Sequence, residues 1–226
     1  LNKNRGVLWL SGCVDSQKIH GAYALWRGDS RRLLITYSGQ KAKEIYEDCR
    51  YFDREAVLYQ AKDFLFFHAD IQGNLLVQQR MRALQALLTK PEVTVITTFD
   101  GLMDRLRPLK TVEDSILCIG RDSIVQMDAL AEKLARLGYE RVLQVEGPGQ
   151  FAVRGGIVDI YALTEDAPWR IEFWDDEIDR ITSFSPQTGK TIDEMENLNI
   201  YPANLFVTDK ATLAKAIHDI EHDLIV

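Results

Sequence analysis

Apolar positions along this chain follow two rhythms, and the change between them falls near Pro108. Before it, short apolar runs alternate with stretches of helical period, the pattern of strands followed by helices. Residues 7–10 (VLWL) read as a buried strand, after which Ile19, Ala22, Tyr23 and Trp26 recur at helical spacing. A second strand is predicted over 33–37. Ser38 then stands as an N-cap for a helix whose apolar face is Ala42, Ile45, Tyr46 and Cys49. Residues 56–59 form a third strand. Asp70 is placed to cap a long helix carrying Val77, Met81, Leu84 and Leu88, which Lys90-Pro91 stops. A fourth strand spans 93–97, and Phe99, Leu102, Met103 and Leu106 follow it. Such alternation implies a parallel sheet covered on both faces, an α/β arrangement.

Beyond Pro108 a strand is predicted over 115–119. Met127, Leu130, Ala131, Leu134 and Leu137 make a helix closed by Gly138. From 150 to 184 the period becomes 2. In the first run Phe151, Val153 and Ile157 are read on one side, with Arg154 and Val158 on the other. In the second, Trp169, Ile171 and Phe173 oppose Arg170, Glu172 and Trp174. A third run, 178–184, follows after a few acidic residues, so a meander of antiparallel strands is expected. A further strand over 198–201 completes an α+β domain. From Thr208 a last helix places Leu213, Ile217, Ile220 and Leu224 on one face. The wet face of the meander carries Arg170 and Trp174 two pleats apart, with Arg154 of the same parity. A tryptophan beside arginines on a rigid sheet is the composition of a protein-binding hot spot. The other reading is that Trp174 covers a second small core.

Composition narrows the function classes. At 226 residues the chain has room for one large core or two modest ones, and its start at Leu1 reads as that of a fragment. Its apolar runs are too short for a membrane span or a signal peptide. Cys13, Cys49 and Cys118 are odd in number and match no metal pattern, which points to a reduced, cytoplasmic protein. The net charge is −7, and residues 151–200, with four basic and eleven acidic side chains, hold the whole imbalance. Such a field repels a phosphate backbone, so a protein partner is expected there.

Three motifs bear on chemistry. Gly12 and Lys18 keep the spacing of the phosphate-binding loop GxxxxGK[ST], but Gln17 replaces its second glycine and Ile19 its metal-binding hydroxyl. Both losses strike the chemistry rather than the fold, so the loop reads as degenerate, with no nucleotide or other cofactor expected. No strand is followed by an Asp-Glu pair to serve the metal. The run 218–222 (HDIEH) spells H-x-x-E-H, yet no third ligand is in reach, and a solvated helix face is the reading taken. Phe64, Phe66 and Phe67 lack interleaved bases for nucleic-acid stacking and are expected in a core. Asp175-Asp176 belong in a tight turn. No catalytic residues and no metal site are expected.

The stretches RLGYERVLQVEGPGQFAVRGGIVDIY, WRIEFWDDEIDRITSFSPQTGKT and IYPANLFVTDK resemble the UvrB-homology module of bacterial transcription-repair coupling factors (Mfd) and, less closely, UvrB. The likeness extends to AKDFLFFHADIQGNLLVQQRMRALQALL and TTFDGLMDRL. It implies a parallel-sheet, P-loop-like domain 1a over 1–112, an α+β domain 2 with an antiparallel sheet over 113–200, and the start of domain 1b over 201–226. The family's domain 2 binds UvrA through positions that match Arg154, Arg170 and Trp174. Two departures favour the coupling factor over UvrB: the degenerate loop, and a link from Tyr59 to Asp70 too short for UvrB's DNA-clamping hairpin. The resemblance therefore implies a non-catalytic module that recruits excision repair through UvrA. RNA polymerase and double-stranded DNA would be engaged by domains of the parent translocase outside this chain. An ATP-dependent, damage-loading fragment like UvrB is the alternative.

Overall fold

A computed structural model describes residues 7–26, 31–61, 70–104, 106 and 108–204. The expected helix from Thr208, the H-x-x-E-H run and the three phenylalanines at 64, 66 and 67 lie outside these residues. The chain divides into two compact units, the described residues of Leu1–Leu65 with Arg82–Arg105, and those of Phe66–Met81 with Leu106–Val226.

In the first unit α1 (Asp15–Leu25), β1 (Arg31–Thr36), α2 (Gly39–Cys49) and β2 (Ala56–Tyr59) follow in turn. After α3 (Asp70–Thr89), which contributes to both units, come β3 (Val93–Thr98) and α4 (Phe99–Met103). The three strands form a parallel sheet in the order β1-β3-β2, with Ile96 of β3 between Leu34 and Leu58. Ile19 of α1 and Ala42 and Cys49 of α2 pack with Ala56, Leu58 and Ile96, so the apolar stripe of α2 falls where its period places it. Ser38 caps α2 as its type and position require, its hydroxyl accepting the Lys41 amide at 3.2 Å.

The predicted first strand is absent. Residues 7–10 are irregular and exposed. Their apolar character suits a strand, but no described strand lies alongside to take up their amide and carbonyl groups, and pairing decides the matter over propensity. Among the described residues the parallel sheet therefore has three strands, where the sequence predicts four.

The second unit begins with α5 (Leu109–Glu113), β4 (Leu117–Gly120) and α6 (Met127–Arg136). There follow β5 (Glu140–Arg141), β6 (Gln150–Arg154), β7 (Ile157–Tyr161), β8 (Trp169–Trp174), β9 (Glu177–Phe184), β10 (Thr191–Glu194) and β11 (Asn197–Ile200). Six of these strands form one sheet in the order β10-β9-β8-β7-β6-β5, antiparallel throughout except at the short β5–β6 pair. β4 and β11 pair separately. One face of the large sheet supplies Phe151, Val158, Ile160, Trp169, Ile171, Ile178 and Ile181 to a core completed by Leu130, Ala131 and Leu134 of α6. An amphipathic helix laid on a sheet leaves the other sheet face free, and that face carries the site below.

The parity reading needs one correction. Val158 is fully buried in the core with Phe151, while Ile157 shares the Arg154 face. Counting by twos fails across the two-residue Gly155-Gly156 turn, because directly opposed residues of a hairpin share a face and Arg154 opposes Ile157. Gly155, at φ +57°, supplies the left-handed backbone such a turn requires.

Gly138 ends α6 as expected. Its φ is +91°, its amide bonds to the Ala135 carbonyl at 3.1 Å, and the Tyr139 amide reaches back to Leu134 at 3.1 Å. A Cβ at this position would stand 2.8 Å from Cβ of Asn204 and 3.3 Å from its backbone nitrogen. Gly138→Ala combines left-handed strain with that clash and is expected to destabilise the second unit by about 1–3 kcal/mol. Urea unfolding monitored by circular dichroism measures it; an unchanged midpoint contradicts the prediction.

Candidate protein-docking site

The face of the sheet turned away from α6 is organised by a carboxylate. Asp159 lies in the middle of β7, flanked by core residues, and is only 1% exposed. Its cross-strand partner on β8 is Arg170. Arg170 donates from Nε to Oδ1 at 2.7 Å and from Nη2 to Oδ2 at 2.9 Å, a two-toothed ion pair. Arg154, at the end of β6, donates from Nη2 to the same Oδ2 at 2.6 Å. One buried carboxylate thus gathers guanidinium groups from the strands on both sides of it. The hydrogen bonds it donates to Asp159 hold Arg170 protonated even more firmly than an ordinary arginine.

Arg170 also lies over the ring of Phe184, 4.4 Å from the guanidinium carbon to the ring centre, a cation–π contact that holds the group against the sheet. Phe184 belongs to a small second cluster with Val145 and Ala152, edged by Val142 and Tyr161. Trp174 takes no part in it and is 78% exposed, so the reading of this indole as cover for a second core is set aside. Arg170 and Trp174 stand on the same face of β8, about 13 Å apart at the pitch of a strand. The side chains of Arg154 and Arg170 are 51% and 23% exposed, so both reach solvent while anchored at one edge.

Two residues of this face escaped the sequence reading. Asp159 had been counted only among the acids of the segment. Its signal was present, since an aspartate inside the apolar run Ile157–Tyr161 must find a partner across the strand. Ile124 is the other. It forms an isolated antiparallel bridge to Glu177, which itself pairs with Trp174, and it is 82% exposed. No period in the loop before α6 could have shown that a second large apolar side chain stands one strand beyond the indole.

The stretch from Gly12 to Ile19 leads into α1. Gly12 has φ +76°, and α1 begins at Asp15. The Gln17 side chain folds back so that its Oε1 accepts the Val14 amide at 3.4 Å, taking a backbone donor at the loop's mouth for itself. Ile19 is buried in the core with Ala42 and Leu58. Lys18 lies between them on α1. Elsewhere, burial first and then Asp53 push the Cys49 thiol up to about 11, which leaves it protonated and inert. Among the described residues no three His, Cys, Asp or Glu side chains are placed to share a metal ion, and no helix is long and apolar enough to cross a membrane.

Residues 117–206 match the UvrB interaction domain family. Over 193 residues the chain is 30% identical to the transcription-repair-coupling factor of Bacillus subtilis, covering 84% of this chain and 16% of that protein. It is 36% identical over 175 residues to the UvrABC system protein B of Kosmotoga olearia, covering 77% of this chain and 26% of that one. The transcription-repair-coupling factor of Escherichia coli is 29% identical over 187 residues, covering 80% of this chain and 16% of its own length. The chain therefore spans about a quarter or less of each of these three relatives.

Proposed function

We propose, from the premise that this chain carries a UvrB interaction domain and is homologous over most of its length to transcription-repair-coupling factors and UvrB proteins, that it is a non-catalytic recruitment module whose partner is UvrA. The observation that carries the reading is the meeting of Arg154 and Arg170 on one carboxylate, with Trp174 projecting from the same face. The arginines offer their outer N–H donors to carboxylates or carbonyls of the partner, and the indole fills a pocket beside them. The acids around the face, such as Asp175 and Asp176 in the β8–β9 turn, set the rate and selectivity of the encounter more than its strength. In the parent protein this contact brings excision repair to a stalled transcription complex, while the polymerase and the DNA are held by parts outside this chain. Gel filtration of the chain with UvrA tests the reading. Wild type co-elutes, Arg154→Ala/Arg170→Ala elutes alone, and a double variant that still co-elutes removes the site.

The rival reading is an ATP-dependent, damage-loading fragment of the UvrB kind; a UvrABC system protein B is among the relatives. Gln17 and Ile19 speak against it. A side-chain acceptor already sits on the Val14 amide, where a phosphate needs open donors, and the position of the metal-binding hydroxyl is an isoleucine buried in the core. Isothermal titration with Mg-ATP is expected to give no saturable heat. Binding at micromolar concentration would turn the argument towards the rival.

A further inference from the structure

We propose that Asp159 is a positioning residue of the docking face, one that aims the two arginines rather than touching the partner. The inference rests on the docking reading above and adds to it the group that makes the face a fixed shape. An arginine on an open strand samples many rotamers, and ordering it on binding costs affinity. Arg170 is spared that cost, because the carboxylate takes Nε and one Nη2 hydrogen while the guanidinium sits over the Phe184 ring. What remains for a partner is both hydrogens of Nη1 and one of Nη2, on a side chain that is 23% exposed. Arg154 gives Asp159 a single bond from Nη2 and keeps Nε and Nη1 available.

The charges also fit a positioning role. Two guanidinium groups and one carboxylate leave the cluster at plus one inside a segment that is strongly acidic overall. Without Asp159 the two cations would repel each other and spread apart. With it they are drawn to a common point, and their free edges define one site for a planar acceptor, either a carboxylate or a backbone carbonyl of the partner. A competing role predicts the reverse. If Asp159 merely occupied donors that the partner needs, removing its charge would release them and tighten binding.

Titration calorimetry with UvrA separates these roles in wild type, Asp159→Asn, Arg170→Ala and the pair combined. Asp159→Asn is expected to weaken binding about 30-fold, and by less than about fivefold in the Arg170→Ala background, because residues acting through one another are not additive. Binding as tight as wild type, or tighter, overturns the positioning role. An equal loss in both backgrounds assigns Asp159 to general stability and also overturns it. If Arg170→Ala itself binds normally, the docking reading falls, which is a different result from Asp159→Asn alone binding normally. Thermal melts identify a variant that does not fold. In that event Arg170→Lys decides the point, since lysine keeps the charge and cannot form the two-toothed pair. Wild-type affinity for Arg170→Lys would refute the proposal, and a loss of more than about tenfold supports it.

Discussion

Arg170→Ala lowers the affinity of the chain for UvrA by about 30- to 1000-fold, or about 2–4 kcal/mol. Three losses combine in that figure. The remaining N–H donors vanish, the cation over Phe184 is gone, and Asp159 is left buried with Arg154 as its one ion-pair partner among the described residues. The last of these acts on the free protein as well, since truncating one member of a buried pair strands the other. A melt of the variant beside the titration separates the two contributions. A variant that melts as wild type and binds more weakly has lost contact with the partner; one that binds within threefold of wild type shows that Arg170 lies outside the interface.

Leu134→Ala is the largest stability effect expected in the second unit. Leu134 is completely buried on the inner face of α6, within the cluster that holds Val158, Ile160, Ile171, Ile178 and Ile181. Removing its branched end forfeits transfer energy and leaves a void that a sheet on one side and a capped helix on the other are poorly placed to fill. The cost is about 2–5 kcal/mol, a large share of the stability of a domain this size. Urea denaturation followed by far-ultraviolet circular dichroism reads it as a lower midpoint at unchanged slope. A change under 1 kcal/mol would mean that the helix does not carry the sheet.

The comparison of sequence with structure divides along a physical line. Period and capping are local, and where they decide the outcome the sequence was readable. Ser38 caps α2, Gly138 closes α6, and the split of Trp169, Ile171 and Phe173 from Arg170 and Trp174 holds in β8. Pairing between strands is not local. Residues 7–10 have a strand's composition but no strand paired with them among the described residues, and the face of Ile157 differs from its parity because parity does not carry across a turn of two residues. The site divides in the same way. The outward parity of Arg170 and Trp174 on β8 is legible in the sequence, whereas Asp159 as the common anchor of Arg154 and Arg170, and Ile124 one strand beyond the indole, depend on register, which only the folded sheet reveals.

From β10 back to β6, every strand of the large sheet lies beside its neighbour in sequence. Each pairing therefore closes a short loop, and such local closure is fast compared with the assembly of distant segments. During synthesis α6 leaves the ribosome before the ribbon it covers, so the sheet meets its apolar support as it emerges. Once Phe184 has cleared the exit tunnel, all the residues of the anchor — Arg154, Asp159, Arg170 and the ring beneath — are available together. The recognition surface is thus expected to mature on the nascent chain, ahead of whatever the ribosome makes next.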